Sequence, residues 1–175
     1  MRIIILSDTH GMVYPGVAAQ LSWADEVWHA GDIGPPATVR WFMERCSTFR
    51  AVSGNADPRD TLHLLDETAV FEAEGLKVLL HHIVGKPGKY VPKAQALVRQ
   101  VRPDWVVCGH SHILQVAPLP GIPGGLHINP GAAGHHGFHK MCTLLRFEVS
   151  GRKVTAAEVV ELGPRGRLQG PTTVV

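Results

Sequence analysis

Residues 2 to 11 read Arg-Ile-Ile-Ile-Leu-Ser-Asp-Thr-His-Gly. The apolar run Ile3 to Leu6 is too short for a helix and has no polar alternation, so it predicts a strand buried on both faces, the sign of an α/β protein. Asp8 and His10 then fall on the loop beyond the strand's carboxyl end, where open α/β sheets bind their ligands.

The same rhythm continues outward from this point. Val13 to Trp23 is expected to be a helix, Glu26 to His29 a second strand, and Gly31-Asp32 its terminal loop. Pro35-Pro36 opens a helix running to about Cys46, since proline's missing N–H costs nothing in a first turn. Phe49 to Val52 is a third strand, followed by Gly54-Asn55. Thr68 to Phe71 and Lys77 to His82, separated by Glu72-Ala73-Glu74-Gly75, read as a hairpin ending in two histidines. Pro92 to Val101 is a helix, and Trp105 to Cys108 a strand ending in Gly109-His110-Ser111-His112. Apolar runs at Leu114 to Ala117, Leu126 to Ile128, Cys142 to Val149 and Val154 to Val160 are further strands. Residues 1–162 are expected to form one domain, with 163–175 a loose Gly-, Pro- and Arg-rich tail.

Composition narrows the function classes. A chain of 175 residues, 45% hydrophobic, suits one domain. Seventeen Lys and Arg against fifteen Asp and Glu make a weak field, which gives no reason to expect nucleic acid or an acidic membrane as partner. No segment reaches the roughly 18 to 20 apolar residues of a membrane span. The start meets Asp8 too early for a signal peptide, so the expected compartment is the cytoplasm. Cys46, Cys108 and Cys142 are far apart and fit neither a disulfide framework nor a thiolate zinc site. Histidine is in excess: eleven, against two tyrosines and five phenylalanines.

Five strand-end loops therefore carry Asp8-Thr9-His10, Gly31-Asp32, Gly54-Asn55, His81-His82 and His110-Ser111-His112. Such mixed oxygen and nitrogen donors suit Mn, Fe, Co, Ni or Zn rather than calcium or a thiolate-bound metal. The i, i+2 pairs Asp8/His10 and His110/His112 are expected on irregular loop backbone, which Gly11 and Gly109 make easier, so that both members reach one site.

The ordered blocks D-x-H, G-D, G-N, H and G-H-x-H resemble the calcineurin-like metallophosphoesterases, and most closely their small cap-free bacterial and archaeal phosphodiesterases, over roughly residues 1–147. The resemblance implies a four-layer α/β/β/α sandwich, two mixed sheets face to face with helices outside. It implies two divalent metal ions, manganese first, with Fe, Zn, Co or Ni compatible. One would be held by Asp8, His10, Asp32 and His112, the other by Asp32, Asn55, His82 and His110, with Asp32 bridging. A metal-bridging hydroxide would then attack phosphorus in line. Asp32, Asn55 and His110 are the expected catalytic residues, and His136 and Asn55 the expected substrate contacts. His82 is preferred to His81 because adjacent strand residues face opposite ways and His82-Ile83-Val84-Gly85 fits the family's string.

Some positions depart from the pattern or read more plainly. Many members follow Gly-Asn with a histidine that acts as general acid, whereas this chain reads Gly54-Asn55-Ala56-Asp57, which predicts slow turnover or a good leaving group. Ile33-Gly34-Pro35 after Asp32 disfavours the protein phosphatases of the superfamily. Asn129-Pro130-Gly131 reads first as a turn, and His29, His63 and His127 as ordinary core or surface residues. His135, His136 and His139 could line the substrate mouth or lie on a solvated loop. The leading function is a metal-dependent phosphoesterase for a small phosphodiester or phosphomonoester. The alternative is a catalytically weak metal-binding scaffold for protein interaction, as the small retromer subunit resembles. Relatives form dimers or tetramers, so a homo-oligomer is compatible with either reading.

Overall fold

Strand β1 (Arg2–Leu6) lies in the middle of a five-stranded sheet, and the two sides of its apolar run bury differently. Ile3 and Ile5 face a second sheet, while Ile4 and Leu6 face helices. That double burial is why the run shows no alternation. The computed structural model describes residues 1–167 and 172–173.

In chain order the strands are β1, β2 (Met12–Val13), β3 (Glu26–His29), β4 (Phe49–Ala51), β5 (Thr68–Ala73), β6 (Leu76–His81), β7 (Gly85–Lys86), β8 (Lys89–Tyr90), β9 (Trp105–Val107), β10 (Leu114–Pro118), β11 (Leu126–Pro130), β12 (Met141–Ser150), β13 (Lys153–Pro164) and β14 (Thr172–Thr173). The helices are α1 (Pro15–Leu21), α2 (Pro36–Arg45), α3 (Arg59–Leu62) and α4 (Pro92–Val101). The first sheet has the order β13-β12-β1-β3-β4, with β1, β3 and β4 parallel and β12 and β13 antiparallel. The second runs β10-β11-β9-β6-β5, with β11, β9 and β6 parallel and the two outer strands antiparallel.

Three apolar interfaces separate four layers. Between the sheets, Trp28, Val78, Leu80, Trp105, Leu145 and Phe147 pack with Ile3 and Ile5. Trp28 meets Trp105 edge-on with ring centres 6.1 Å apart, and Trp105 meets Phe147 at 5.2 Å. The outer face of the first sheet packs on α1 and α2 through Val17, Leu21, Val39 and Phe42. Leu79 and Val106, on the outer face of the second, pack on Ala94, Leu97 and Val98 of α4. The expected four-layer sandwich is thus present.

Element boundaries differ in places from the expectation. The helix expected from Val13 begins at Pro15, because proline sits in its first turn and Val13 belongs to β2, paired with Thr172. It ends at Leu21 rather than Trp23. Strand β13 continues through Pro164 into a 3-10 turn at Arg165–Arg167, so the segment read as tail starts within a strand, and its residues 168–171 and 174–175 lie outside the described residues. Among the described residues, no helix is long and apolar enough to cross a membrane.

Candidate metal centre

The carboxyl ends of β1, β3, β4, β6 and β9 carry the five polar loops, and several of their side chains meet where the two sheets' edges approach. Among the described residues, eight non-glycine positions have positive φ, and five of these are Asp8 (58°), His10 (49°), Asp32 (52°), His110 (66°) and His112 (56°). Left-handed backbone costs an L-residue about 1 to 2 kcal/mol, and such strain collects at functional sites. It also turns both members of each i, i+2 pair the same way. Glycine is required beside them by close approach: a Cβ at Gly54 would overlap Asp32 Oδ1, and one at Gly109 would overlap Ser7 Oγ.

Asp8 Oδ1 lies 3.1 Å from His112 Nε2 and 4.0 Å from His82 Nε2. Asp32 Oδ2 lies 3.3 Å from His82 Nε2 and 4.0 Å from His10 Nε2. The other oxygens are held by backbone, Ala56 N–H donating to Asp32 Oδ1 at 2.7 Å and His110 N–H to Asp8 Oδ2 at 3.2 Å. His82 donates its Nδ1–H to the Ala30 carbonyl at 2.6 Å, which leaves a lone pair on Nε2.

Asp8 Oδ1, His10 Nε2 and His82 Nε2 are buried and have no hydrogen-bond partner. Acceptors facing one another in a dry place repel unless a cation sits among them. The donor set and these orphaned atoms fit a divalent metal. Asp8, His10 and His112 form one cluster of ligand atoms, and Asp8, Asp32 and His82 another, each within 4.8 Å.

The charges lean the same way. Burial pushes the Asp32 carboxyl up, but the His82 ring, the Ala56 N–H and His10 outweigh it and hold the pKa at about 2. Burial lowers His82, yet Asp32 and Asp8 raise it on balance. The neighbouring Asp8 carboxylate raises His112 against burial, whereas burial dominates at His10 and lowers it.

The remaining expected residues sit around this nucleus. His110 is solvent-exposed, its ring 5.4 Å centre to centre from that of His82. Asn55, also exposed, lines one cavity with His82. His81 points elsewhere: its Nδ1 is 2.8 Å from Thr68 Oγ1 and 3.0 Å from the Glu67 carbonyl. Exposed His136 lies over the His10 ring at 5.1 Å, and His139 packs on His112 at 5.3 Å, so this loop borders the centre. His135 Nδ1 lies 2.5 Å from Tyr14 OH. His29 donates Nε2–H to Thr9 Oγ1, whose hydroxyl donates to Ile33 O; burial lowers its pKa to about 3. His63 is exposed at the end of α3.

Two supporting residues escaped the sequence reading. Buried Asp57 accepts from Gly34 N–H and Gly54 N–H, both at 2.7 Å, and so ties the Asp32 loop to the Asn55 loop. Thr61 Oγ1 donates to Gly34 O at 2.6 Å. A short carboxylate among glycines is the signal that could have marked Asp57. Asn129 does more than turn the chain. Its Nδ2 donates to Gly109 O at 2.7 Å and Ser111 Oγ at 3.1 Å, which braces the backbone between His110 and His112.

Comparison with known proteins places this geometry. The family model described as a calcineurin-like phosphoesterase superfamily domain matches residues 1–152. Among solved structures, an archaeal phosphodiesterase is 20% identical with a TM-score of 0.71, covering 93% of this chain and 100% of that one. Vps29 of Entamoeba histolytica, solved with zinc, is 18% identical with a TM-score of 0.70, covering 93% and 99%. A predicted phosphoesterase of Streptococcus pneumoniae is 21% identical with a TM-score of 0.62, covering 91% and 97%. No curated protein matches the chain.

Proposed function

This chain belongs to the calcineurin-like phosphoesterase superfamily, and from that premise we propose that it is a metal-dependent hydrolase of small phosphodiesters or phosphomonoesters with a dinuclear centre. The observation that carries this reading is the convergence of three unpartnered buried acceptors, Asp8 Oδ1, His10 Nε2 and His82 Nε2, around two carboxylates. Asp8, His10, Asp32 and His112 would hold one cation, and Asp32, Asn55, His82 and His110 the other, manganese being the first choice. When bound, the pair supplies Lewis acidity toward phosphoryl oxygens and an acidified water.

The protein's own part is placement. Asp32 Oδ2 is within 4.0 Å of both the His10 and the His82 ring, which supports its reading as the carboxylate that the two cations would share. Ala30 fixes the His82 tautomer. Exposed Asn55, His110 and His136 stand on the open side, where their side chains can orient phosphate oxygens. The test is metal analysis of the purified protein together with hydrolysis of bis(p-nitrophenyl) phosphate in Mn²⁺, repeated on Asp32→Asn. The expected result is two metals per chain and activity that Asp32→Asn abolishes. A metal-free protein inert with every divalent ion would refute the reading.

One observation favours the scaffold as a second reading. Ala56, whose N–H holds Asp32, offers no proton to a leaving group. A protein that binds metal tightly but turns over neither diester nor monoester would fit the scaffold.

A further inference from the structure

Two cavities adjoin the candidate centre, one lined by His82 and the other by His110. One, about 480 Å³, is reached past Asn55 and His82. The other, about 530 Å³, opens past His110. Ile83 contributes to both walls, so it divides them. Their chemistry differs. Around the first stand Ser53, Asp66, Glu67 and His81, a set rich in acceptors. Ser53 Oγ and the His81 ring are engaged with backbone carbonyls, and Glu67 holds Lys93, so the wall offers no free positive charge to an anion. The second has a broader apolar wall, Ile83, Val91, Ile113 and Leu114, with Lys86 and Gln115 also contributing.

Ile113 is 62% exposed and Leu114 37%, although both follow directly on the candidate ligand His112. Apolar side chains left open in a concave wall next to a reacting centre are the usual means of holding an apolar portion of a ligand. A phosphodiester carries two ester arms on one phosphorus, and the two cavities meet at Ile83 beside His82 and His110, two of the residues expected to lie close to that phosphorus. Resting on the phosphoesterase reading for that placement, we infer that the phosphoester this site takes is an unsymmetrical diester. Its aryl or branched-alkyl arm sits in the Ile83/Val91/Ile113/Leu114 groove, and its other, uncharged arm, bearing hydrogen-bond donors, sits beside Asn55. A polyanion running into the first cavity is disfavoured, because its next phosphate would face Asp66 and Glu67.

The test uses the Mn²⁺-loaded full chain and two stable diester analogues, monomethyl phenylphosphonate and monomethyl methylphosphonate, with binding measured by calorimetry. The phenyl compound is expected to bind on the order of tenfold tighter, the discrimination an apolar pocket gives for a few carbons. That advantage should vanish in Ile113→Gln/Leu114→Gln while methylphosphonate affinity stays. Should the double variant lose both ligands, Val91→Gln on the facing wall is read in its place. Equal affinity in the wild type, or a phenyl preference that survives both variants, would overturn the inference. Turnover of methyl p-nitrophenyl phosphate, measured in parallel, tests the enzyme reading separately. Hydrolysis without phenyl preference removes only the arm assignment, and groove-dependent binding without hydrolysis removes only the catalysis.

Discussion

Ala56 has an exposed side chain at the rim of the centre, and its backbone N–H already holds Asp32 Oδ1 at 2.7 Å. A larger residue there would keep that bond and meet no packed core. Ala56→His is therefore expected to raise phosphodiester turnover, by up to the roughly 10² fold that a positioned acid supplies, without changing metal content; kcat for bis(p-nitrophenyl) phosphate is the measurement. Asp57 is the opposite case, invisible in function and essential in support. Asp57→Ala strands two buried N–H groups, Gly34 and Gly54, at about 1 to 3 kcal/mol each. Urea denaturation should give a loss of about 2 to 5 kcal/mol, with weaker metal binding although no ligand is removed. A loss below about 0.5 kcal/mol would show that water replaces the carboxylate. The candidate ligands were legible because their order along the chain is a pattern in sequence, and the fold brings Asp8, His10, Asp32, His82 and His112 together. Asp57 was not, since its bonds join loops whose nearness only the fold creates, and Asn129 was legible as a turn but not in the bonds that make it a brace.

At the scale of elements, the long periodic pieces were legible and the short ones were not. Strand β12, at Met141–Ser150, lies within a residue of the expected run at each end, and helix α4, at Pro92–Val101, falls where the sequence puts it. β2, β7, β8, β14 and α3 have two to four residues, too few to show a period. The irregular loops between elements hold the consequence for function. Asp32 is fixed by contact with the Gly54 backbone, so Gly54→Ala should push Asp32 Oδ1 out of place by steric overlap alone. Its expected effect is loss of metal to the level of Asp32→Asn, read by metal analysis after dialysis, with the far-ultraviolet circular dichroism unchanged. Retention of two metals would mean that the Asn55 loop yields instead. Gly166→Ala, where a Cβ meets nothing and φ is not left-handed, is the matched control.

On the scale of the whole molecule, the α/β class followed from β1 alone, but the pairing of two sheets did not. The Trp28, Trp105 and Phe147 contacts join residues more than forty positions apart, and no local pattern encodes that distance. Burial across these layers sets the acid sensitivity of the fold. His127, on β11, is 1% exposed, with Nδ1 3.1 Å from Tyr90 OH and Nε2 3.6 Å from Cys108 Sγ. Burial lowers its pKa from 6.5 to about 4. A depressed histidine pKa means that the unfolded chain binds the proton more readily. Its neutral form keeps full stability above pH 6.5, and stability falls as pH drops from 6.5 to about 4, after which both states are protonated. By pH 4.5 the loss from this one residue is roughly 2 to 3 kcal/mol. His29, lowered to about 3, adds a loss of the same sign. Urea denaturation in EDTA at pH 7 and pH 4.5 should show a smaller difference for His127→Gln than for wild type by that roughly 2 to 3 kcal/mol. The protonation of the metal ligands is common to both proteins and cancels in the comparison. Equal pH dependence would mean that the ring opens to water before it is protonated, and that the α4 layer is looser than its packing against Leu79 and Val106 implies.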